Sequence, residues 1–225
     1  MGDIARQARE QRAAAAHATK VVTDETLGPA PVSETDSPIE VVNKAGHFLS
    51  RDSFHSCIHQ KTGGPGESFE ILVELDGPDR MRIVKRSSSD PQPFDNIFIG
   101  TAAYRRTGNG PWHRDAQDSP VSASQRDRLP ENLSEALSYA NADLKLVRRD
   151  VADDAPVFLY ETEFHAGGAS QRDGTLDIWI GINDGLIRKV KMRTVESGAS
   201  SVTPVVSTDT FTCSYGRVPA IKPPM

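Results

Sequence analysis

"LDIWIGINDGLIRKVKMRT", residues 176–194, holds two strand-like runs around an Asn183-Asp184-Gly185 turn. The first run sets Trp179 among isoleucines, and the second carries Arg188, Lys189, Lys191 and Arg193. In that second run Leu186, Val190 and Met192 alternate with Ile187, Lys189, Lys191 and Arg193, so one face reads as dry and the other as mostly wet. A side-chain period of two with one apolar face marks an antiparallel sheet packed on one side only. Asn and Asp bend the backbone through their own side chains, and Gly takes positive φ without steric penalty, so the phrase between the runs is a turn.

The same period recurs on both sides of this stretch. Phe69, Ile71, Val73 and Leu75 alternate with other residues in "SFEILVELDGP", and "MRIVKR" resumes after the Gly77-Pro78 break as the second arm of a hairpin. "NIFIGTAAYRRTGNGPWHRD" reads as another pair of strands, with Trp112 just beyond its glycine turn. "ADLKLVRRD", "PVFLYETEFH" and "VVSTDTFTCSYG" supply further strands. Two segments change to helical spacing. One begins at Ser37-Pro38, with Pro at the first helical position and Glu40 in the first turn, and places Ile39, Val42, Phe48 and Leu49 on one side. The other, "PENLSEALSYA", aligns Leu133, Ala136, Leu137 and Ala140. Seven to nine strands in hairpin-like succession with two helices leave too few helices for parallel crossovers. An antiparallel sheet with helices gathered on one side is the expected α+β architecture.

The remaining length is not core. Residues 3–20 show only a thin stripe of Ile4, Ala8, Gln11 and Ala15, and residues 21–38 carry three prolines and read as a linker. The expected division is a leader and linker over 1–36 and one folded domain over 37–225. The net charge is −5, with charges of both signs interspersed, which speaks against a nucleic-acid binder with its concentrated basic face. No stretch approaches the roughly 18 apolar residues of a membrane span. The first twenty residues hold no apolar run of signal-peptide length, which leaves a cytoplasmic protein or a processed form open.

Chemistry is sparse. There is no Gly-x-Ser-x-Gly elbow, phosphate loop or His-Glu-x-x-His, and Gly108 and Gly110 lack the strand–helix context of a dinucleotide site. His55, Cys57 and His59 stand two apart and share one strand face, where His165 would complete a zinc or copper set. Histidines on strands are more often ordinary, and a disulfide would compete for Cys57. Glu161 with Glu163 reads as a solvated edge rather than an acid/base couple, and Asp153-Asp154 as a loop. Trp112 and Trp179 either line a cavity or fill a sheet core. Cys57 and Cys213 sit in strand-like runs near the two ends of the folded part; they are either bonded, closing a loop of most of the chain, or two separate buried thiols.

"IWIGINDGLIRKVKM" and "IFIGTAAYRRTGNGPWHR", in that spacing around the helix at 130–140, resemble the LolA/LppX-type superfamily of bacterial lipoprotein carriers and lipid-binding lipoproteins over residues 37–218. The N-terminal "ARQAREQRAAAA" resembles leaders that follow a signal peptide. The resemblance implies a curved antiparallel sheet forming an unclosed half β-barrel, with helices packed on the concave side. It implies a periplasmic or secreted location, under which the Cys57–Cys213 bond is expected. It also implies no catalysis and no cofactor. A hydrophobic small molecule, lipid or lipidated partner would sit between sheet and helices, with Phe69, Ile71, Val73, Leu75, Phe98 and Tyr104 as lining residues. The alternative is an envelope protein–protein interaction module with a filled cavity, acting through its basic strand face and N-terminal segment; a metal-binding role stands behind both. The cysteine pair and the polar insertion before the second helix depart from the carriers.

Overall fold

The computed structural model describes residues 29–51, 55–64, 68–90, 92–115, 132–167, 170–198, 204–216 and 218–224. Most of the leader and linker expected over 1–36, including the thin stripe at 3–20, and most of the polar stretch before the second helix lie outside these residues.

Helix α1 (Pro38–Arg51) opens on the proline that the sequence places there, with Glu40 in its first turn and Arg51 in its last, both favourable to the helix dipole. Its buried stripe is Val41, Val42, Ala45 and Leu49, spaced three and four apart. Ile39 and Phe48, expected on that stripe, are only half-buried. Six strands follow: β1 (His55–Gly63), β2 (Phe69–Leu75), β3 (Arg80–Ser87), β4 (Phe94–Ile99), β5 (Ala102–Thr107) and the short β6 (His113–Arg114). Helix α2 (Leu133–Ser138) buries Leu133 and Ala136. The last five strands are β7 (Lys145–Ala152), β8 (Ala155–Ala166), β9 (Ser170–Gly181), β10 (Ile187–Gly198) and β11 (Val205–Tyr215).

All eleven strands form one antiparallel sheet in the order β6-β5-β4-β3-β2-β1-β11-β10-β9-β8-β7. The chain meanders outward from β1 to one edge, crosses to the far edge at β7, and meanders back until β11 lies beside β1. β6 and β7 do not meet, so the sheet is an unclosed half-barrel with its helices on one side. The expected fold class is therefore the observed one; the sheet has more strands than the seven to nine counted from the sequence.

Both helices pack into one apolar cluster with Phe158, Tyr160, Ile178, Ile180, Val190, Phe211 and their neighbours, on the inner face of the sheet. The opening stretch forms β9, a turn and β10. Gly185 in that turn has φ +63°, and a Cβ there would stand 2.8 Å from the carbonyl oxygen of Ala30, so glycine is required twice over. The simple alternation read from the sequence is interrupted. Ile187 pairs with Ile180 and Lys189 with Trp179, so Arg188 is the extra residue of a β-bulge. The bulge turns Ile187 inward, where it is 1% exposed, instead of leaving it with the lysines.

The first and last strands meet along nine consecutive partners, from His55 opposite Tyr215 to Gly63 opposite Ser207. Cys57 and Cys213 are directly opposite, with Cα atoms 4.2 Å apart, and are joined by a disulfide that links positions 156 residues apart. Reduction, or Cys57→Ser with Cys213→Ser, is expected to lower stability by about 2–5 kcal/mol, the range for a native bridge. Guanidinium denaturation with and without reductant measures this, and coincident curves would contradict it.

Candidate ligand-binding face

Partners in the register share a face, so the inner surface can be read across the sheet. Starting from the seam, Cys57 is opposite Val73, Val73 opposite Ile83, Ile83 opposite Asn96, and Asn96 opposite Arg105. One row along, Leu75, Met81, Phe98 and Ala103 are aligned. The other way, His59, Ile71, Lys85 and Phe94 are aligned, with Phe69 beyond them opposite Lys61. The inner face of this wing is thus apolar toward one end of the strands and increasingly polar toward the other. Ile71, Val73, Leu75 and Met81 form a second apolar cluster, with Phe69, Ile83 and Phe98 half-buried against it. Neither helix belongs to that cluster; α1 packs on β9 and β10.

Five of the six expected lining residues, Phe69, Ile71, Val73, Leu75 and Phe98, therefore share one surface. Tyr104 lies on the other. Gly100 and Thr101 make a two-residue turn between β4 and β5, so Ile99 pairs with Ala102 and Tyr104 falls opposite Ile97, on the outer face. Both tryptophans are on the outer side as well, neither in a cavity nor in the core. Trp179 donates its Nε1–H to Asp150 at 3.2 Å and lies 5.1 Å beneath the Lys189 ammonium, while the Arg106 guanidinium stacks 4.4 Å over Trp112.

The outer face of the same wing is held by charge. Asp95, 2% exposed, accepts two hydrogen bonds from Arg82, at 3.0 and 2.9 Å, and one from Arg106 at 2.8 Å. Burial acts most strongly on this carboxyl and pushes it upward, but the hydrogen bonds from Arg82 and Arg106, then their charges, together hold it below the ordinary carboxylate range. A second carboxylate behaves oppositely: Asp177, opposite Glu161 on the outer face, is pushed up by burial and then by that neighbour's charge. Glu163, the other half of the pair noted in the sequence, is exposed.

At the seam, His55, Cys57 and His59 do share the inner face, and all three are buried. The disulfide takes Cys57. Among the described residues no group of three or more His, Cys, Asp and Glu side chains is placed to hold a metal. His165 is elsewhere, exposed and hydrogen-bonded to Asp173 at 2.8 Å, a contact that raises its proton affinity. The sequence reading missed a buried pair, His59 Nε2 and Asp209 Oδ1 at 2.8 Å. The His59 ring also stacks on Phe211, centroids 4.2 Å apart, and meets the edge of Phe69 at 5.0 Å. It thereby joins the cluster that holds both described helices to the one on β2 and β3. Only the β1–β11 register brings these residues together across 150 positions, and no local pattern signals it.

One cleft of about 650 Å³ lies where β7 stops short of β8 and is lined by Asn141, Asp143, Lys145, Glu161, Glu163 and neighbours. Another, of about 340 Å³, opens at the ends of β1–β3 and includes Lys61, Phe69 and Ser87. Among the described residues no helix is long and apolar enough to cross a membrane.

No family model and no curated protein matches the chain. Weak likenesses to solved structures include the following two. The LolA superfamily protein NE2245 from Nitrosomonas europaea aligns at 12% identity and a TM-score of 0.29, over 82% of this chain and 96% of that one. The Pseudomonas aeruginosa MucA/MucB complex aligns at 16% identity and a TM-score of 0.40, over 82% of this chain and 59% of that one.

Asp95→Asn is expected to destabilise the protein by about 2–4 kcal/mol at neutral pH, since it leaves two arginines without their buried counter-charge. Because the folded carboxyl is held below its unfolded value, its stabilising share is complete above about pH 4 and is lost as pH falls through the lowered value. Denaturation midpoints of both proteins from pH 7 to 2 should therefore converge in acid; parallel curves would contradict the assignment.

Proposed function

We propose that this chain is a non-enzymatic, extracytoplasmic binding protein that holds a hydrophobic ligand, an acyl chain or lipidated partner, against the inner face of its sheet. One observation carries the reading. The inner face continues past the helix-covered cluster onto β2–β4, where an apolar surface packs on neither helix and leaves Phe69, Ile83 and Phe98 half-buried. Phe69, Ile71, Val73, Leu75 and Phe98 are the lining residues of this reading. Removal of apolar area from water, at about 25 cal/mol per Å², supplies affinity without any reacting group. The disulfide supports the compartment, since such bonds persist outside the reducing cytosol.

A protein partner is the second reading, and one feature favours it. Among the described residues β7 is an edge strand, with Val147 and Val151 exposed, the latter 67%. Such an edge can accept a further strand.

A fluorescent acyl probe titrated into the purified full chain distinguishes these. Saturable binding, weakened about tenfold by Phe98→Ala, is expected from the loss of one aromatic contact. No probe uptake, together with no lipid carried through purification from the native host, would contradict it.

A further inference from the structure

The two faces of the β1–β5 wing treat their cations differently. On the outer face each arginine has a carboxylate: Arg82 reaches Glu74 and Asp95, Arg106 reaches Asp95, and Arg86 reaches Glu70 at 3.2 Å. On the inner face Arg105 is paired with Asp115 at 2.7 Å, but Lys61 and Lys85 have no carboxylate within ion-pair distance among the described residues. The inner-face carboxylate opposite Lys61, Asp209, is committed to His59. Lys85 is exposed and lies 5.6 Å over the Phe69 ring. Lys61 and Phe69 are direct cross-strand partners and border the same cleft of about 340 Å³. Glu70 borders that cleft too, from the outer face, where Arg86 and Gln60 occupy it.

We infer that the β1–β5 wing takes a single-chain amphiphile with an anionic head, such as a fatty carboxylate. The tail lies across β2–β4 on Phe69, Ile83 and Phe98, and the head pairs with Lys85 and Lys61 at the polar end of the strands. The charge complementarity decides between head groups: an anion answers two lysines that have no carboxylate partner among the described residues, a neutral head gains nothing there, and a cation is repelled. From β1 to β4 is three strand spacings, about 14 Å, comparable with an extended medium-length acyl chain. This inference rests on the apolar-ligand reading above and adds the charge of the ligand's head to it.

Dodecanoate, dodecanol and dodecyltrimethylammonium share a tail and differ in charge. Each is titrated below its micellar range, at low ionic strength, against a bound fluorescent acyl probe. The expected order is anion, alcohol, cation, with about two- to fivefold between anion and alcohol, as for partly exposed ion pairs. Lys85→Glu should erase the anion's advantage, and Lys85→Ala serves the same purpose if charge reversal disturbs folding. Arg193→Glu, an exposed outer-face change on β10 away from this cleft, should leave the order intact. Equal affinity for the three, or an order unchanged by both Lys85 variants, overturns the inference while the apolar-ligand reading stands. Failure of all three to displace or bind overturns both.

Discussion

The pairing of β1 with β11 is the constraint on which the structure depends. Without it the chain would be two separate antiparallel meanders, each with an apolar face too narrow to close over. With it, nine residue pairs and a disulfide join strands from the two ends of the folded part into one sheet. Contacts so distant in sequence cost loop-closure entropy, and a covalent bond at the same place lowers that cost by restricting the unfolded chain. The seam also carries the His59–Asp209 pair, whose imidazole stacks on Phe211 and meets Phe69. One buried ring therefore touches both apolar clusters, and the inner surface is continuous across the join.

From the seam the two halves differ in what covers them. On the β8–β11 side, α1 and α2 close over Phe158, Tyr160, Ile178 and Val190 as an ordinary sheet–helix core. Tyr160 is so enclosed that burial, assisted by the charge of Asp36, pushes its hydroxyl up to about 12. On the β2–β4 side the inner face is apolar at one end and cationic at the other, and the wing is stiffened from behind by Asp95 and its arginines. Buried ion pairs contribute little net stability against a hydrophobic substitute, but breaking one is expensive, so the cluster secures the register of β3, β4 and β5 more than it adds stability.

Much of this was legible in the residues. Proline at position 38, the alternation of Phe69 through Leu75, and the Asn183-Asp184-Gly185 turn each state a local preference that the tertiary structure obeys. What was not legible depends on a count of residues or on distance. A single extra residue at Arg188 reverses Ile187, and an even two-residue turn at Gly100-Thr101 sends Tyr104 outward while Phe98 stays in. Asp95 is not singled out by the sequence, because local hydropathy cannot see two arginines arriving from neighbouring strands. Asp209 and His59 are invisible to one another until the first and last strands are paired. Trp112 and Trp179 read as cavity or core residues, yet a stacked cation on each ring, and a carboxylate acceptor for Trp179, hold them on the outer face.

Isoleucine methyl NMR tests the central claim most directly, because isoleucines mark both faces of the wing and the helix-covered half. Ile71 and Ile83 report the inner face of β2 and β3, Ile58 and Ile97 the outer face, and Ile178 the core under the helices. Addition of dodecanoate should shift Ile71 and Ile83 progressively while Ile58 and Ile97 stay in place. Perturbation confined to the outer-face methyls, or a spectrum unchanged at saturating ligand, would contradict an inner surface built to hold an apolar chain.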